Sequence, residues 1–404
     1  MLISGRRNSQ SHGQSRRPEL HLTILVGARP PGSLNSLCGD KGAPLKLIVQ
    51  PADGAAPLLK AIKRAKKSIE IVIFRFDQTE IEHALEDAAQ RGVFVHALIA
   101  FTNRGGEKNL RKLEMRFLEK GITVARTADD LIRYHGKMML VDGKELYLLT
   151  YNFTHLDTER SRSFGIVTRN RELVKEASRL FACDTQRQTY KSSSKKFLVS
   201  PVNARQVLET FLKGAKKELL IYDVDIADKE ILRILQERLQ VGVQVKIIGH
   251  VSRNRHLSAR VFKRMRLHTR VIIRDCKQAF LGSQSMRKLE LDERREIGMI
   301  VNNAKVVSSM VTVFEDDWKA STPADRRADK KRVSAKAERT SRKVSKAVRK
   351  KLAPATVVQQ VVKVIEKEAN VEVDRDEARE MVKGALAKAV KKTAAKIVEE
   401  AVAE

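Results

Sequence analysis

Two stretches of the chain repeat one another, without a gap, at a constant spacing of 150 residues. The first, QPADGAAPLLKAIKRAKKSIEIVIFRFDQTEIEHALEDAAQRGVFVHALI, begins at Gln50, and the second, SPVNARQVLETFLKGAKKELLIYDVDIADKEILRILQERLQVGVQVKIIG, begins at Ser200. Pro51 matches Pro201, Leu58 matches Leu208, the Ala-Lys-Lys at 65–67 matches that at 215–217, and Gly92-Val93 matches Gly242-Val243. One register held over that length implies two copies of one structural unit. In each copy a helical spacing (Leu58, Leu59, Ile62, Ala65) precedes an apolar, β-branched run, IEIVIF. A second helical spacing (Ile81, Ala84, Leu85, Ala88) ends at Gly92, and VFVHALI follows as a strand. Strands alternating with helices predict an α/β chain whose sheets are largely parallel and covered on both faces. The expected architecture is therefore two α/β/α sandwich lobes related by a pseudo-twofold, with a site at their junction.

A second matched pair follows the repeats. Residues 134–154 read YHGKMMLVDGKELYLLTYNFT, and residues 267–285 read LHTRVIIRDCKQAFLGSQS. His135, Lys137 and Asp142 recur as His268, Arg270 and Asp275; Leu149-Thr150 and Asn152 recur as Gly282-Ser283 and Ser285. Residues two apart on a strand project from one face. If the lobes face each other, two imidazoles and two cations surround one cavity. That set suits a phosphodiester. The cations, Lys137 and Arg270, would hold the non-bridging oxygens. One imidazole would attack phosphorus and the other would protonate the leaving alcohol. Arginine keeps the charge of the second motif, and its planar fork can take two phosphate oxygens. Thr150, Asn152 and Ser283 can donate to the phosphoryl group, and Ser285 is a shorter donor in the asparagine's place. Asp142 and Asp275, at the far ends of their strands, are expected to tie turns. The sequence offers no cluster of metal ligands, and this chemistry needs neither metal nor cofactor.

The first copy resembles the H-x-K-x4-D-x6-G-[ST]-x-N signature of the phospholipase D superfamily, with Leu149 in place of the glycine. The second is an H-x-R variant. The resemblance covers residues 45–318 and is to the soluble phospholipase D-like and cardiolipin-synthase-like bacterial members. It implies a phospholipase D-like fold and an enzyme, a metal-free phosphodiesterase or phosphatidyltransferase of phospholipids, working through a phosphohistidine. It also implies an acid near Glu296, expected beside His268, where it would raise the imidazole's pKa and make a general acid. The matching position in the first half is Ser163, so His135 is expected to stay neutral and nucleophilic, with Asp157 or Glu159 as the alternative partner for it. The same scaffold leaves open an endonuclease on DNA or RNA, a cardiolipin synthase-like transferase, and a non-catalytic polyanion-binding protein.

The charge is consistent with any of these. The chain carries 79 Lys and Arg against 49 Asp and Glu, a net +30, a field that favours polyanionic partners. Aromatic residues make up only 5%, which argues against a base-stacking platform. Cys38, Cys183 and Cys276 are scattered, so neither a zinc site nor a disulfide framework is indicated. No apolar run reaches the roughly 18 residues of a membrane span. Five segments are expected: a disordered leader at 1–44, lobes at 45–190 and 191–318, a basic linker at 319–351 and a helical tail at 352–404. The linker holds 14 Lys or Arg against 3 Asp or Glu, a net +11, and suits an anionic membrane surface or nucleic acid. A monomer with an internal pseudo-dimer is expected, cytoplasmic or peripheral at the inner membrane surface.

Overall fold

A computed structural model describes residues 45–102, 107–128, 130, 133–252, 257–324 and 375–403, with single positions at 341, 359, 360 and 362. The expected leader, and the basic linker from 325 to 351 apart from 341, lie outside the described residues.

The first half runs β1 (Lys46–Gln50), α1 (Ala56–Arg64), β2 (Ser68–Ile73), α2 (Thr79–Gln90), β3 (Phe94–Ile99), α3 (Glu107–Glu119), β4 (Thr123–Arg126), β5 (Arg133–Tyr134), β6 (Met138–Val141), β7 (Glu145–Leu149), α4 (His155–Glu159), β8 (Ser161–Thr168) and α5 (Arg171–Thr185). The second repeats the plan: β9 (Phe197–Ser200), α6 (Ala204–Lys213), β10 (Glu218–Ile226), α7 (Lys229–Gln240), β11 (Gln244–Val251), β12 (Ala259–Val261), β13 (Arg266–Leu267), β14 (Arg270–Arg274), β15 (Gln278–Gly282), α8 (Lys288–Asp292), β16 (Arg294–Val301), α9 (Ala304–Lys319) and β17 (Thr322–Pro323). A long helix, α10 (Arg375–Ala403), lies in the tail. Packing continues past Trp318: β17 pairs with β12, and Arg260 donates to Ser321 Oγ at 3.0 Å.

The sheets are mixed, which corrects the largely parallel expectation. In the first, β2, β3 and β4 are parallel, whereas β6, β7, β8 and β1 join antiparallel in the order β1-β8-β7-β6-β2-β3-β4. The reason is the turn between β6 and β7. Asp142 and Gly143 take φ of +56° and +61°, the left-handed pair of a tight hairpin turn, which can only join antiparallel strands. Asp275 and Cys276 make the same turn between β14 and β15 at +54° and +52°. Each aspartate then accepts from three successive backbone N–H groups, at 66–68 for Asp142 and 216–218 for Asp275.

Alternation along the strands sorts the core into layers. Ile69, Ile71 and Ile73 of β2 pack outward against α1, α2 and α3, while Val72 packs inward. The equivalent outer face of the second sheet packs on α6 and α7. The inner faces of both sheets share one apolar layer with α5 and α9, so each sheet is covered on both sides. Two short strands cross between the halves. β5 adds parallel to β16 of the second sheet, and β13 adds parallel to β8 of the first.

Candidate functional site

The crossing strands place the histidines. His135 follows β5 directly, and its N–H donates to the Arg295 carbonyl at 2.7 Å; His268 follows β13, and its N–H donates to the Arg162 carbonyl at 3.1 Å. Each imidazole is thus pinned to the main chain of the other lobe. The two arginines are clamped in turn to the central helices. Arg162 makes a two-pronged contact with Asp317 of α9, at 2.6 and 3.0 Å, and Arg295 donates to Asp184 of α5 at 3.0 Å.

This crossing reverses the expected acid pairing. Glu296 does not serve His268: its Oε2 lies 2.8 Å from His135 Nδ1, with the carboxylate fully buried. His268 Nδ1 instead faces Asp157 Oδ1 at 3.0 Å. The register explains the exchange. Tyr134 pairs with Arg295, so the next residues, His135 and Glu296, come together, whereas Leu267 pairs with Arg162 and sets His268 toward Ser163. A serine there leaves the carboxylate to come from α4. Glu290, which stands in α8 where Asp157 stands in α4, is taken up by Arg287 and Arg294. Glu159 pairs with His155 at the surface.

Both imidazoles are nearly enclosed, at 9% and 8% exposure, and the expected rise in the His268 pKa is not found. Burial pushes His268 down to about 4, against the hydrogen bond and charge of Asp157. Burial, with the charges of Lys137, Arg270, His268 and Arg294, pushes His135 well below its usual value. The two acids differ. Burial would raise Asp157, but the hydrogen bond and charge of His268, the Asn152 amide and Arg266 bring it well below the carboxylate range. Burial raises Glu296 despite Lys137 and a hydrogen bond from Ser283. Asp157 is therefore the firmer anion.

Lys137 is 1% exposed; its ammonium donates to the His135 carbonyl and lies 5.2 Å from the Phe74 ring centre, and burial lowers its pKa well below normal. Arg270 Nε donates to Ser285 Oγ at 2.9 Å, and its Nη1 is buried without a protein partner. The smaller polar side chains already hold bonds within the protein. Thr150 Oγ1 accepts from Phe164 N at 3.0 Å, Ser283 Oγ accepts from Ile297 N at 3.0 Å, and Asn152 Nδ2 donates to Asp157 Oδ2 at 2.7 Å. They hold the frame of the site. Leu149, the departure from the expected glycine, pairs with Gly165 and fills the space where a Cβ on Gly165 would stand, 2.8 Å from Leu149 Cδ2. Gly282 faces Gly298 instead, and a Cβ on Gly282 would fall 2.8 Å from the Gly298 Cα.

Sequence reasoning missed Phe74, whose ring meets the His135 imidazole edge-on at 4.6 Å between centroids. It reads as one more apolar residue of IEIVIF. The signal was its place at the C-terminal end of β2, where parallel strands open to a cleft. Among the described residues, no group of three or more His, Cys, Asp or Glu side chains is placed to hold a metal ion, and no helix is long and apolar enough to cross a membrane.

The duplicated α/β fold, with one histidine and one cation from each half and a buried acid facing each imidazole, is a two-lobed phospholipase D-like fold. Residues 58–185 match the family described as cardiolipin synthase, PLD-like domain. A mitochondrial cardiolipin hydrolase of Danio rerio is 29% identical over 119 residues, 29% of this chain; the match spans about half, 51%, of that relative's length. The fold resembles polyphosphate kinase from Porphyromonas gingivalis, with a TM-score of 0.58 and 19% identity over 68% of this chain and 50% of that one. It also resembles phosphatidylserine synthase from Haemophilus influenzae Rd KW20, with a TM-score of 0.53 and 11% identity over 69% of this chain and 87% of that one. Residues 58–185 thus carry a phospholipase D-like domain by sequence, and the two-lobed fold agrees with it.

Proposed function

We propose that the chain cleaves or transfers a phosphodiester through a phosphohistidine, with His135 as nucleophile and His268 as general acid and base. The observation that carries this is the pair of carboxylate-held imidazoles beside two buried cations, one of which, Arg270, keeps an unpaired Nη1. The oriented Nδ1 of His135 leaves Nε2 for attack on phosphorus. The P–O bond to the leaving alcohol breaks, and His268 supplies its proton. Water or a second alcohol then loses its proton to His268 and displaces His135. Burial lowers the His268 pKa to about 4, so the resting imidazole is neutral and must take up a proton, with substrate bound, before it can serve as the acid. Asp157, the firmer anion, stabilises an imidazolium on His268, while His135 stays neutral and nucleophilic until phosphorylated.

Phosphatidyl substrates are the first choice, on the family match and the cardiolipin hydrolase likeness. A nuclease is the second, on the net charge of +30. The test is turnover by purified protein in chelator of phosphatidylglycerol, phosphatidylcholine, cardiolipin, a soluble nitrophenyl phosphodiester and single-stranded DNA. Lipid turnover exceeding DNA turnover supports the first substrate, and the reverse supports the second. No turnover of any of them refutes the catalytic reading in favour of polyanion binding.

A further inference from the structure

Three of the positions at which the second half departs from the first touch one another. Strand register places Ile73 beside Lys137 in the first half, and Asp223 beside Arg270 in the second, one step beyond the pairs Val72–Met138 and Tyr222–Val271. Asn152 of the first motif corresponds to Ser285 of the second. So where one half has isoleucine, lysine and asparagine, the other has aspartate, arginine and serine. The Ser285 hydroxyl accepts from Arg270 Nε at 2.9 Å and hydrogen-bonds the Asp223 carboxylate. Asp223 is fully buried; its two oxygens also accept from the N–H groups of Asp225 and Met286, at 2.9 and 2.8 Å.

The backbone is rebuilt around this aspartate. The pairing of β10 with β11 shifts between Asp223 and Ile226, and Gly249 passes at φ +143°, where a Cβ would stand 1.7 Å from the Asp223 carbonyl oxygen. Only glycine fits there. A buried carboxylate is costly unless a charge answers it, and this one stands across from the arginine, not the lysine. The chemistry of the two cations explains why. The Lys137 ammonium turns back onto its own main chain at the His135 carbonyl and needs no partner on β2. A guanidinium is a rigid fork and is useful only when one edge is anchored and the other is presented. Ser285 anchors Nε, Asp223 anchors Ser285, and Nη1 is left buried without a protein partner.

We propose that Asp223 and Ser285 are positioning residues that fix the Arg270 fork so that Nη1 meets a phosphoryl oxygen, making the H-x-R half a compensated anion-binding unit rather than an eroded H-x-K half. The proposal rests on the phosphodiester reading of the cleft and adds the set of residues that makes the variant motif work.

The test is a double-mutant cycle of Ser285→Ala with Arg270→Lys in the full chain. It is read by calorimetry with inorganic phosphate and, separately, by kcat and KM on bis(p-nitrophenyl) phosphate. In the arginine background Ser285→Ala should weaken phosphate binding about tenfold; in the lysine background it should change binding by less than about twofold, because a lysine has no Nε edge to anchor. The triple change Arg270→Lys, Ser285→Asn and Asp223→Ile should recover phosphate affinity that Arg270→Lys alone loses. Equal losses from Ser285→Ala in both backgrounds overturn the proposal, as does a folded wild-type protein that binds no phosphate at millimolar concentration. Coupling in phosphate binding without diester turnover supports the unit and refutes the reaction. Turnover with additive losses does the opposite.

Discussion

The crossed acids make the sharpest prediction. Glu296→Gln replaces a fully buried carboxylate, whose Oε2 sits 2.8 Å from His135 Nδ1, by an isosteric amide. The amide oxygen can still accept from Nδ1, so the ring orientation survives. What disappears is the negative charge that, in the proposed reaction, answers the cation formed on a phosphorylated His135. Two unit charges 4 Å apart interact by about 4 kcal/mol at an effective dielectric of 20. An expected loss of about 3 kcal/mol corresponds to roughly a hundredfold in the rate of phosphohistidine formation. Asp157→Asn should act on the other step. It strips His268 of the anion that supports its protonated form, yet a nitrophenolate leaving group needs little protonation. Stopped-flow release of nitrophenolate separates the two. Glu296→Gln should slow the first-turnover burst, and Asp157→Asn should spare the burst and slow the steady rate that follows. The opposite pattern would exchange the roles of the histidines. Equal slowing of both phases by both changes would refute the sorting of the acids by step.

Stability should fall with pH in a defined window. The folded-state pKa of His268 is lowered to about 4, against about 6.5 for a free imidazole, so between those values the unfolded chain binds more protons. Urea unfolding should therefore lose up to about 1.4 kcal/mol per pH unit from this group as pH falls from about 6.5 to about 4, and His268→Asn should reduce that slope; an unchanged slope would mean that His268 titrates normally. Removing residues 325–404, beyond the last strand β17, should leave turnover of a soluble diester unchanged and weaken turnover on anionic vesicles, most at low salt. A loss on the soluble diester would instead tie the tail to the site.

The legible parts of the sequence were those with a local signature. Helical and alternating periodicity marked the repeats, and the spacing of His135, Lys137 and Asp142 against His268, Arg270 and Asp275 marked the motifs. The mixed sheet was less legible, although Asp142-Gly143 is a hairpin signal in its own right. The acid pairing could not be read from spacing at all. Glu296 lies 28 residues from His268 and 161 from His135, yet it bonds the more distant one. Spacing locates Glu296 along β16. It does not show that two residues of the first half, Arg133 and Tyr134, leave their own sheet to pair there.

That exchange has a consequence for the whole molecule. Each histidine is aligned by a main-chain carbonyl of the opposite lobe, and the arginine that offers the carbonyl is held by an aspartate on the other half's central helix, Asp317 for Arg162 and Asp184 for Arg295. The clamps are unequal. Asp317 takes both prongs of Arg162 and the Tyr222 hydroxyl at 2.7 Å, whereas Asp184 takes one nitrogen of Arg295 and faces the Tyr134 hydroxyl, and the Arg295 Nε is buried without a partner. Asp317 thus grips its arginine with two bonds and Asp184 with one. The duplicated halves thus differ in the arginine clamps as well as in the carboxylates that face the histidines. Neither lobe holds a complete site alone, because each imidazole is oriented by residues the other lobe supplies.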